Sequence, residues 1–129
     1  APRVFILSNI PVDIEVDQLF RWVQYQLIQQ LVDESDGYIP LNKSHLMSHA
    51  KSIRTTSVAA NRIKEIKHNW DWYQPTGLLK GWKLFKYRKV GGTKWSEVIC
   101  CIPEDDLSRN IEILIGKRTE IVASELQGN

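Results

Sequence analysis

The sequence predicts an α+β domain: short helices followed by a β-hairpin, with an extra strand at the N-terminus and a helix at the C-terminus. Three observations point there. Apolar residues recur at three- and four-residue steps in two segments of the first half, the helical interval. Two strand-like runs, "LLKGWKLFKYRKV" and "TKWSEVICCI", flank Gly91-Gly92, a pairing that favours a hairpin turn. The chain has 129 residues, 43% hydrophobic and 25% charged, which suits one domain over residues 1–129.

Taken in order, "RVFILSN" reads as a short buried strand or an extended arm, and "IPVD" turns the chain. Asp13 is expected to cap the first helix, with Glu15 and Asp17 at the positive end of its dipole. Its apolar stripe is Val16, Leu19, Phe20, Val23, Leu27 and Leu31, and "DESDG" stops it near Gly37. "YIPL" is short and extended, because Pro40 drives Ile39 out of the helical region. Asn42 caps a short helix, "KSHLMSHAK". Thr55 or Thr56 caps the next, "SVAANRIKEIKHNW", which sets Ala59, Ile63, Ile66 and Trp70 on one face. Ser57, Asn61, Lys64 and His68 form the opposite, hydrogen-bonding face. "DWYQPTG" is a loop. After the hairpin, Pro103 opens a C-terminal helix over residues 103–129 with Leu107, Ile111 and Leu114 as its stripe, and Gly116 is a candidate break.

Charge is the strongest functional signal. Residues 43–94 carry twelve Lys and Arg against Glu65 and Asp71, a net +10, while the segments on either side are each net −4. Within this block, Lys80 to Trp95 has six cations and no acid. A basic block between acidic flanks is the footprint of a surface that meets a polyanion.

The order helix, short strand, helix, turn, helix, hairpin resembles a winged helix-turn-helix. The residues that carry it are "GYIPLNKSHLMSHAKSIRTTSVAANRIKEIKHNW" and "KGWKLFKYRKVGGTKWSEVICCI", within residues 13–102. The segment "HAKSIRTTS" departs from the family in lacking its small-residue turn, and the N-terminal strand is an addition. The resemblance implies three helices plus a β-hairpin wing, and duplex DNA binding in transcriptional regulation or replication initiation. It places Thr55, Thr56, Ser57, Asn61 and Lys64 at base edges. It places Lys51, Arg54, Arg62, Lys67, Lys83, Lys86, Arg88, Lys89 and Lys94 at phosphates. The C-terminal helix is then the expected dimerisation element of a homodimer.

A second resemblance carries an alternative. "VFILSNIP" (Val4 to Pro11) and "KGWKLFKY" (Lys80 to Tyr87) are similar to the two strand motifs of an RNA recognition motif, which implies bases stacked on Trp82 and Tyr87. A third class is a winged helix whose basic face meets an acidic protein. No phosphate-cradling Gly loop, nucleophile elbow or dinucleotide fingerprint is present, so no enzyme and no cofactor is expected. His45 and His49 have metal-compatible spacing, but the only further candidate ligands are Cys100 and Cys101, so no metal site is read. These adjacent cysteines are expected to be reduced thiols. Neither a membrane span nor a signal peptide is read, which leads to an expectation of an intracellular protein, cytoplasmic or with the nucleoid or nucleus.

Overall fold

The computed structural model describes residues 13–124. Among them lie helices α1 (Val16–Glu34), α2 (Lys43–His49), α3 (Thr56–His68), α4 (Trp70–Tyr73) and α5 (Glu104–Ile115). The strands are β1 (Tyr38–Pro40), β2 (Lys83–Lys89), β3 (Ser96–Cys100) and β4 (Thr119–Ala123). The strands form one antiparallel sheet in the order β1-β3-β2-β4. The expected strand "RVFILSN" lies outside the described residues.

Alternation along the strands divides the sheet into two apolar faces. Ile39, Ile99 and Leu84 align across β1, β3 and β2 and pack into the helical layer with Ile28, Leu31, Leu46, Ala59 and Ile66. The opposite face carries Tyr38, Val98, Cys100, Phe85 and Tyr87, covered by Leu107 and Ile111 of α5. The sheet is therefore the middle of three layers.

Local chemistry explains most helix ends. The Asn42 side chain accepts from the backbone of Ser44 and His45, and Thr55 Oγ1 accepts from Val58. Each such cap stabilises its helix by about 1 kcal/mol. Asp13 does not cap α1: Glu15 does, because Gln18 three residues later answers it in a reciprocal capping box. The expected stripe of α1 is also only half right. Leu31 is buried, but Val16 and Phe20 are 82% and 66% exposed. Ile28 and Leu31 anchor the helix, flanked by Tyr25 and Val32, and no described element covers its first turns.

Three further expectations are corrected. The first hairpin strand starts at Lys83, not Leu78, because Gly77 and Gly81 take positive φ (86° and 82°) and turn Leu78, Leu79 and Trp82 into the helical core. Part of the expected loop is the short helix α4, pinned by the fully buried Tyr73. The C-terminal helix ends at Gly116, which is left-handed (φ 70°, ψ 20°), and the chain then returns as β4 on the edge of β2. Leu107 and Ile111 of that helix are fully buried against the molecule's own sheet.

Candidate nucleic-acid interface

α3 is a two-faced helix. Ala59 and Ile66 are buried, while Thr56, Ser57, Asn61 and Lys64 are exposed on the other side. Thr55 Oγ1 is engaged as the cap and lies 3.3 Å from Ser57 Oγ. Thr56 Oγ1 lies 3.7 Å from Met47 Sδ. Asn61 and Lys64 make no side-chain hydrogen bond among the described residues, so their donors and acceptors face solvent.

Beside this face runs a groove of about 700 Å³ between α3, the start of α2 and the β2–β3 hairpin. Lys43, Lys64, Lys67 and Lys94 supply its cations. Leu41, Ile63 and Trp95 supply apolar surface, and Glu97 is its one acid among the described residues. Two adjoining hollows, of about 740 and 500 Å³, open onto the same surface, and Asn42 and Lys94 line all three. The larger adds Ser44, Ser48 and Thr56; the smaller adds His45, Arg88 and Lys89. Cations gathered along concave, low-dielectric walls focus positive potential there.

The expected phosphate contacts separate into groups. Lys51, Arg54, Lys89 and Lys94 are exposed on the turn before α3 and on the hairpin. Lys83 is exposed too, but it pairs with Cys100 at the end of β2 away from the hairpin turn. Lys86 is half-buried opposite Glu97. Lys67 Nζ lies 2.7 Å from Glu97 Oε1. Arg88 Nε donates to Glu120 Oε2 at 2.7 Å, and its guanidinium lies 4.6 Å from the centre of the Trp95 ring. Arg62 departs most from expectation. Its side chain is 11% exposed and paired with Glu65 at 3.1 Å, which turns it from solvent.

The two histidines diverge. His45 Nδ1 and the Tyr87 hydroxyl are 2.8 Å apart, tying α2 to the hairpin. Burial lowers the His45 pKa, and the nearby Lys89 charge lowers it further. The His49 ring packs 4.7 Å from that of Tyr38, and burial lowers its pKa against the opposing pull of Asp36 and Glu34. Burial raises the Tyr87 hydroxyl, and it pushes the Cys100 thiol up to about 11. Cys101 is exposed.

The aromatics of the alternative reading are covered. Trp82 is 8% exposed in the helical core, and Tyr87 is 3% exposed under α5, so neither offers a ring face to a base. Val4 to Pro11, its other motif, lies outside the described residues. The sequence reading missed Lys43 and Trp95. A signal existed for Trp95: it directly follows Lys94 in the acid-free stretch Lys80 to Trp95. No described helix is long and apolar enough to cross a membrane. No family model, curated protein or solved structure matches the chain.

Proposed function

We propose that this protein is a winged-helix domain that binds duplex DNA, with α3 presented to the major groove and the β2–β3 hairpin as the wing along the backbone. The observation that carries this reading is the convergence of Lys43, Lys64, Lys67 and Lys94 on one groove beside the exposed face of α3. Lys43, Lys64 and Lys94 have no ion-pair partner among the described residues, so their charge is available to phosphate. Backbone contact gives affinity and register, while Ser57 and Asn61 are the groups placed to meet base edges. An Asn side chain pairs bidentately with adenine and so confers a preference at one position.

The test is a paired substitution. Lys64→Ala with Lys94→Ala removes two phosphate contacts and should flatten the log–log salt dependence of duplex affinity by about 1.8 units. Lys80→Ala, on the exposed turn before β2, should leave that slope unchanged. Equal slopes for wild type and the double variant contradict the reading. Ala at Asn61 should lower affinity for preferred sequences more than for random duplex.

A further inference from the structure

We infer that the groove takes one unpaired nucleotide beside the duplex, stacked on Trp95, so that the preferred DNA is a junction between paired and unpaired strands. This rests on the duplex-binding reading above and specifies which DNA that surface takes.

A row of side chains holds Trp95 in place. Glu120 of β4 is the register partner of Arg88 of β2, and its carboxylate fixes the guanidinium at 2.7 Å. Arg88 in turn lies over the Trp95 ring at 4.6 Å. The row Glu120–Arg88–Trp95 therefore crosses from the sheet edge to the hairpin and orients the indole before any ligand arrives. A cation over a tryptophan face stabilises that arrangement by about 0.5–1 kcal/mol at an exposed site.

Arg88 lines the 500 Å³ hollow on one side of the hairpin and not the groove. Trp95 lines the 700 Å³ groove and not that hollow. The guanidinium covers one ring face, and Trp95, 37% exposed, lines the groove with surface that the guanidinium leaves open.

In an intact duplex the base faces are covered by their neighbours, and only base edges reach the grooves. A large aromatic face in a basic groove finds its complement in a base that has left the stack, with the phosphates on either side met by cations. The groove has both parts: Trp95, Leu41 and Ile63 for the flat apolar base, and Lys43 for a flanking phosphate. Its volume lies within the range that holds a small organic ligand. The surface of α3 and the hairpin remains available to the paired part.

The experiment compares two probes by fluorescence anisotropy: a blunt duplex, and the same duplex carrying a single-stranded extension. Wild type should bind the extended probe about fivefold or more tightly, the effect of stacking one base. Trp95→Ala should abolish that preference, so that the extended and blunt probes bind equally. Trp95→Phe keeps a ring face and should retain most of the preference. Glu120→Gln, which loosens Arg88, should reduce it partway. No preference in wild type, or one that survives Trp95→Ala, overturns the inference while duplex binding stands. No binding to either probe overturns the duplex reading and this inference together.

Discussion

Glu97 is the sharpest place to perturb the groove. Its carboxylate sits among Lys43, Lys64, Lys67 and Lys94 and engages Lys67 Nζ at 2.7 Å. Glu97→Gln keeps the size and the hydrogen-bonding oxygen but removes the charge. The backbone carbonyl of residue 97, which accepts from Leu41 N at 2.8 Å, is untouched. Stability should change by about 1 kcal/mol or less, because the Lys67 and Glu97 side chains are 45% and 24% exposed and water screens the pair. DNA affinity should rise. Freeing Lys67 for one further phosphate steepens the log–log salt slope by about 0.9, which corresponds to about eightfold tighter binding near 0.1 M salt. Anisotropy titrations of a duplex across a salt series read both quantities, and a thermal melt checks the fold. Unchanged or weaker binding by a folded Glu97→Gln protein would refute the assignment of this groove to the phosphate backbone.

Other consequences concern the fold and its titrating groups. Gly37 has φ 92°, and a Cβ there would collide with the Ile102 side chain, so Gly37→Ala should lower stability by more than about 1 kcal/mol in urea unfolding. His45 and His49 both titrate below the ordinary histidine value of about 6.5 because each is half-buried. As pH falls through that value the unfolded chain takes up protons first, so their contribution is fully present above it and is lost below it. A melting temperature that stays flat from neutral pH down to about 5 would contradict the burial of these rings. In the native protein a thiol reagent should modify Cys101 once and spare Cys100, whose thiol is buried and pushed up to about 11; mass spectrometry of a digest distinguishes the two.

What the sequence made legible was local. Asn42 and Thr55 mark helix starts by the cap they form, Pro40 marks the short strand, and the spacing of Ala59 and Ile66 separates the two faces of α3. The same logic named Asp13 for α1, where Glu15 won because only it has Gln18 at the reciprocal position. What stayed hidden was which surface each apolar stripe meets. The period of Leu107 and Ile111 says that one face of α5 is buried, but a partner subunit and the chain's own sheet satisfy it equally. Tyr87 looked available to nucleotides because the cover supplied by Leu107 and Ile111 comes from a helix further along the chain. Within the candidate site, the basic block was plain as composition. Its sorting into free cations (Lys64, Lys94) and engaged ones (Arg62, Lys67, Arg88) depends on acids at 65, 97 and 120 that only folding brings near.

The affinity of the full chain for a random-sequence duplex, measured as a function of salt, decides whether the basic groove meets nucleic acid. Binding should be measurable at low salt, with a log–log slope of several units, about −0.9 for each phosphate met by the groove and hairpin cations. Absence of binding at low salt, or affinity that does not change with salt, would mean that the basic groove faces something other than nucleic acid.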